Sequence, residues 1–234
     1  MKTILSILCI CWMFASAKAQ NSYFEIYTDS AALKNQNDEM IRDIEASIKL
    51  LEPSFSFKGL TTEIPKTFMP GQYRSKTNKI YQPTWQVGGP PMEKFLTDVS
   101  GSTGDAKVLA GMFFYGFFLP HEIGHAFQQH TGAVSENNYD GEYKANEFAV
   151  AYWRSKGKKK ELDKCLQLAK TALANLKNPI PDGVDKEKYL TEHYNELLKD
   201  PYKYGYIQFS QIVNILENKL LPDFNTYVKE HFKK

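Results

Sequence analysis

Residues 108–127 read VLAGMFFYGFFLPHEIGHAF, an uncharged run through Pro120 that leads into two histidines four apart, with a glutamate directly after the first. Few features restrict a fold more. On a helix, positions i and i+4 lie on one face, one turn apart. His121 and His125 can therefore offer two imidazoles to one metal ion, while Glu122, about 100° further round, reaches a water on that metal without ligating it. Burying two histidines and a glutamate unpaired in such apolar surroundings is costly, so this environment calls for a common partner. Pro120 suits a first helical turn, where its missing N–H costs nothing, and Gly124 permits close approach of a neighbouring element.

Two histidines do not complete a zinc site, and three residues downstream compete for the third place. His130 lies five after His125, nearly opposite on a straight helix, just before the Thr131-Gly132 helix stop. Glu142 and Glu147 both belong to "DGEYKANEFAVAYW". There Glu142, Ala145, Asn146 and Ala149 share one helical face, and the two alanines let that face pack tightly. Glu147 points some 140° away from Glu142, toward the surface. Helix geometry therefore selects Glu142 as third ligand. Asn146, one turn on, is placed to hydrogen-bond a ligating histidine.

"HEIGH" followed 17 residues later by "EYKANEFA" resembles the gluzincin pattern of H-E-x-x-H with E-x-x-A-[DN]. The second motif is similar to that of the ImmA/IrrE-type metallopeptidases, and the G-x-E-x-x-A-x-x-F-A wording with its short spacing resembles the DUF4344 type. The resemblance covers roughly residues 105–155. It implies a zincin-like fold with one Zn²⁺ per chain held by His121, His125 and Glu142, and Glu122 as general base. Asn146 stands where gluzincins commonly carry aspartate, and His130 comes one position late for the extra histidine often seen in ImmA-like sequences.

The rest of the chain is consistent with an exported globular protein. Lys2, the apolar run from Ile4 to Phe14 and the small residues 15–19 describe a secretory signal peptide with cleavage after Ala19. The run is too short for a membrane anchor. Residues 20–234 then form a single domain with ample core. Loss of Lys2 and Lys18 takes the formal charge from +2 to 0, which leaves no basic footprint for nucleic acid. Two of the three cysteines go with the signal, so Cys165 is expected as a small buried apolar residue without a disulfide partner.

Helical periodicity predicts helices at roughly 36–52, 105–118, 120–130, 140–156, 159–176, 186–199, 206–218 and 222–232. Residues 54–87 predict a sheet of two to four short strands, with loops at "GGPP" (88–91) and "GSTG" (101–104). The expected fold class is α+β: a small N-terminal sheet, an active-site helix carrying HExxH and a mainly helical C-terminal part. The expected activity is hydrolysis of a peptide or protein substrate, aligned along an edge strand near Lys79–Pro83. Tyr204, Tyr206 and His193 are the candidate donors to the developing oxyanion. The alternative is a non-catalytic module using the same ligands as a structural zinc site.

Overall fold

The structure is a computed structural model that describes residues 23–101 and 103–232. The signal segment read from the sequence, residues 1–19, lies outside them. The order of elements is α1 (Ser30–Lys49), β1 (Thr61–Glu63), β2 (Gln72–Arg74), β3 (Lys79–Tyr81), α2 (Trp85–Ser100), α3 (Thr103–Leu109), a π-helical segment (Ala110–Phe117), α4 (Phe118–Thr131), α5 (Asn138–Ser155), α6 (Lys159–Asn175), α7 (Lys186–Leu197), α8 (Pro201–Glu217) and α9 (Phe224–Phe232). The class is α+β, a small three-stranded sheet beside a large helical part. Among the described residues no helix is long and apolar enough to cross a membrane.

Local chemistry accounts for most boundaries. Asp29, Asn137, Asp185 and Asp200 each accept backbone N–H groups at the start of α1, α5, α7 and α8, where the first turn has donors without helical partners. Helix α1 starts before the expected residue 36 because Asp29 caps it there, with Leu33 and Gln36 already buried. Helix α2 has no counterpart among the expected helices. It is two helical stretches meeting at Gly89, whose φ of 58° a side chain would resist. Pro90 and Pro91 then open the second stretch, a position that tolerates the missing N–H. "GGPP" is thus a kink within a helix and not a free loop.

The apolar run from 108 to 118 does not stop before the HExxH motif. It passes through the π-helical segment straight into α4, with Pro120 in the first turn of α4. The wider segment leaves main-chain carbonyls that other elements serve. Pro120 has no N–H to offer the Gly116 carbonyl, and the Trp153 indole donates to it instead at 3.1 Å. The Gln82 side-chain amide donates to Phe114 O, and the buried Cys165 thiol contacts Met112 O. The rod bearing the histidines is therefore fastened by α5, α6 and the chain after β3.

The sheet has the order β1-β3-β2, with β3 parallel to β1 and antiparallel to β2. This corrects the edge-strand assignment. Lys79–Tyr81 is the central strand, paired on both sides, and cannot receive a further strand. Of the two edges, β2 is the one that lies against α4.

The main core spans α1, α2, the π-helical segment, α4, α5, α6, α8 and α9, with Phe113, Phe117, Phe127, Phe148 and Trp153 almost fully buried in it. A second, smaller cluster consists of Leu190, Leu197 and Ile207, surrounded by Tyr139, Tyr189, Tyr194, Tyr204 and Tyr206.

Candidate metal centre

The centre is built where α4 and α5 touch. A Cβ at Gly124 would stand 3.2 Å from Ala145 Cα and 3.2 Å from Phe148 Cβ, tighter than ordinary side-chain contact. Glycine on α4 and alanine on α5 therefore bring the two backbones together. Glu142, one turn before Ala145–Asn146, is carried up to the histidines.

Three ligand atoms meet there. His121 Nε2 lies 3.3 Å from Glu142 Oε2, His125 Nε2 lies 3.6 Å from the same oxygen, and the two Nε2 atoms are 3.2 Å apart. Atoms held about 2.0–2.2 Å from zinc at tetrahedral angles stand about 3.3–3.6 Å from one another. The triangle has the size of one face of such a tetrahedron, so the residues fit zinc. The His121 and Glu142 side chains are 4% and 7% exposed, against 22% for His125. The fourth side therefore opens past His125.

The tautomer of His121 follows from its neighbours. Asn146 donates from Nδ2 to Gln208 Oε1 and Gln211 Oε1, each at 3.0 Å. Its Oδ1 is thereby turned to His121 Nδ1 at 2.8 Å. Nδ1 must carry the proton, and Nε2 presents its lone pair to the triangle. The contact is made by a neutral amide.

Glu142 is held as an anion. Tyr194 donates to its Oε1 at 2.8 Å, and Gln208 Nε2 donates to its Oε2 at 2.8 Å. Burial works against the charge, but His125 and His121 outweigh it and hold the carboxyl well below the usual range. In the metal-free chain burial also opposes a proton on His125, yet Glu142 and, more weakly, Glu122 keep that imidazole protonated up to about 9. Zinc would take the place of that proton.

Glu122 leaves the face of the two histidines, as the helix turn requires. One of its oxygens lies within 4.8 Å of a ring nitrogen of each histidine, while its Oε2 accepts the Tyr73 backbone N–H of β2 at 2.6 Å. Neither rival third ligand joins the group. His130 Nδ1 bonds the Ala126 carbonyl of its own helix and its ring meets Phe57 edge-on. Glu147 is half-buried, with its carboxyl raised first by burial.

The three candidate oxyanion donors separate. Tyr204 accepts from Gln208 Nε2 at 2.8 Å, beside the centre. Tyr206 packs between the two clusters. His193 lies on another face of α7, its side chain 43% exposed, facing Glu196 and Tyr189. Tyr194, the residue after His193, is the one that reaches Glu142. Burial, then the Glu142 charge, push both the Tyr194 and Tyr204 phenols up, so each keeps its proton.

The chain matches no protein-family model, and comparison with curated proteins and with solved structures finds no significant match.

Proposed function

We propose that the chain is an exported zinc-dependent metallopeptidase that hydrolyses peptide bonds, with His121, His125 and Glu142 as ligands and Glu122 as general base. The observation that carries this reading is the 3.2–3.6 Å triangle of ligand atoms beside a glutamate that takes no part in it. A closed structural site has no use for a base at that position, nor for a ligand open to solvent on one side.

When bound, zinc acidifies a water toward a pKa of about 7 and polarises the scissile carbonyl. Glu122 Oε1, the oxygen not engaged by Tyr73, takes the water's proton and returns it to the leaving amine. Asn146 keeps the His121 proton on Nδ1. Tyr194 and Gln208 hold the Glu142 charge. Tyr204, whose phenol keeps its proton beside the centre, is the candidate donor to charge developing on the substrate.

The test combines metal content with turnover. The dialysed wild type should hold near one equivalent of zinc, and His125→Ala and Glu142→Ala should each lose it. Glu122→Gln should stay folded and zinc-loaded while cleaving a peptide library about 10²–10⁴-fold more slowly. Equal cleavage by wild type and Glu122→Gln would sink the mechanism. A zinc-loaded wild type that cuts nothing would put the structural site first.

A further inference from the structure

We propose that the backbone amide of Tyr73, on the edge strand β2, is a tether that holds Glu122 off the metal and so keeps a coordination position open. The inference rests on the zinc reading above and goes beyond it, since it gives a main-chain group of the sheet a positioning role in the chemistry.

The helix turn takes Glu122 off the face of the histidines but not out of reach of an ion held between them. One of its oxygens already lies within 4.8 Å of a ring nitrogen of each histidine. A carboxylate on a side chain with rotatable bonds, that close to nitrogens that would hold a divalent cation, would be drawn toward the cation as a further ligand unless something opposed it. A glutamate bound to zinc cannot act as a base, and it fills the place the water needs.

The sheet supplies the opposition. Tyr73 stands opposite Ile80 in the antiparallel β2–β3 pair. Its N–H points away from β3, toward α4, and donates to Glu122 Oε2 at 2.6 Å. In such a pair N–H groups alternate between the partner strand and the open edge, so this donor is not spent on the sheet. A hydrogen bond from an amide to a carboxylate is among the stronger ones, and it commits one Glu122 oxygen to the strand. The strand itself is fixed. The Tyr73 hydroxyl donates to Asn78 Oδ1 at 3.0 Å, and the Arg74 guanidinium lies over the Tyr81 ring. The tether is therefore anchored in the β2–β3 hairpin.

The experiment removes the N–H and reads zinc affinity, which needs no substrate. Tyr73→Pro deletes the donor at an edge position where no ladder bond is lost. Zinc affinity is measured by competition with a chromophoric chelator for wild type, Tyr73→Pro, Glu122→Gln and the double variant. With the tether gone, Glu122 joins the metal, and Tyr73→Pro should bind zinc about 10-fold more tightly, the scale of effects that groups around a ligand exert. In the Glu122→Gln background the same substitution should change nothing. Cobalt-substituted wild type should respond to azide in its spectrum through the open position, and cobalt-substituted Tyr73→Pro should not. Damage to the fold would weaken the metal and could not depend on Glu122. Should Tyr73→Pro melt much earlier than wild type, the α-hydroxy analogue of tyrosine at 73 replaces the N–H by an ester oxygen and keeps the side chain. Equal or weaker affinity in a folded Tyr73→Pro or ester variant would overturn the tether and leave the metal site standing. A wild type that binds no zinc would remove the site, and the tether with it.

Discussion

The centre is assembled from two regions built to different standards. The ligands and the Asn146 that orients His121 belong to α4 and α5, whose contact is backbone against backbone at Gly124 and Ala145 and is closed behind by Phe127 and Phe148, 0% and 1% exposed. The groups that satisfy the Glu142 charge reach in from α7 and α8. Helix α7 is seated on only Leu190 and Leu197 of its own, ringed by half-buried tyrosines. Its remaining ties include Thr191 Oγ1 to Asn137 Oδ1 at 2.8 Å and Asn137 to Glu187, both with exposed partners. Dense packing fixes positions to tenths of an ångström, which a metal's ligand distances require. A hydrogen bond to a carboxylate tolerates more, and water can substitute for it in part. The molecule places its strictest requirement in its densest region. Three substitutions probe that division.

The largest effect is expected from Gly124→Leu. Its side chain has no space between α4 and Ala145, so the helices must separate. Overpacking of this kind costs about 1–3 kcal/mol, readable from urea unfolding followed by circular dichroism. Separation also opens the ligand triangle, and zinc affinity should fall by at least about 100-fold, since ligand geometry must hold within about 0.2 Å. Near-normal zinc binding in a destabilised Gly124→Leu would mean that α4–α5 spacing does not set the triangle.

Next comes Gln208→Ala. Gln208 bridges Asn146 and Glu142, accepting from Asn146 Nδ2 and donating to Glu142 Oε2. Its loss leaves Gln211 to orient Asn146 alone and removes a donor from a buried carboxylate. Zinc affinity should weaken by about 10- to 100-fold, and the unfolding midpoint of the zinc-loaded protein should fall with it. A shift below 3-fold by isothermal titration would show that Gln211 suffices.

How far this was legible in the sequence follows the same division. His121, Glu122, His125, Glu142 and Asn146 could be placed because all lie on two helices whose faces the 3.6-residue period determines. Cys165 was readable as a buried apolar residue between Leu162 and Leu166 for the same reason, and it is fully buried. Tyr194 was missed, although α7 held a signal. Leu190, Tyr194 and Leu197 fall at i, i+4 and i+7, so the apolar stripe that seats α7 takes Tyr194 inward and turns His193 aside. In α8, Gln208 and Gln211 interrupt the buried series of Ile207, Phe209, Ile212 and Ile215, and a buried amide in such a series signals a polar partner. The tether to Tyr73 could not be read, because strand order decides which strand is the edge, and residues 61–81 carry no local mark that β3 lies between β1 and β2. The π-helical segment was hidden too. Its residues are apolar on every side, so no periodicity distinguishes a wider turn, and the only trace is Pro120 four residues after Gly116.

The smallest effect is expected from Tyr194→Phe, and it tests the tolerant region most directly. The substitution keeps the ring that packs beside Leu190 and Leu197 and removes only the hydroxyl that donates to Glu142 Oε1. A hydrogen bond to a charged group contributes about 1.5–3 kcal/mol when nothing replaces it. Here Oε1 faces the half-buried tyrosine side, while Oε2, which faces the imidazoles, keeps its bond from Gln208. Water reaching Oε1 past α7 restores most of the loss. Zinc affinity should therefore fall by only about 3- to 10-fold, less than for Gln208→Ala. Hydrogen exchange of the zinc-loaded variant should speed up in α7 while α4 and α5 stay protected, because few buried contacts hold α7 in place. If Tyr194→Phe instead loses zinc as completely as Glu142→Ala, water does not reach Oε1, and the ring of tyrosines closes the centre as tightly as the main core does.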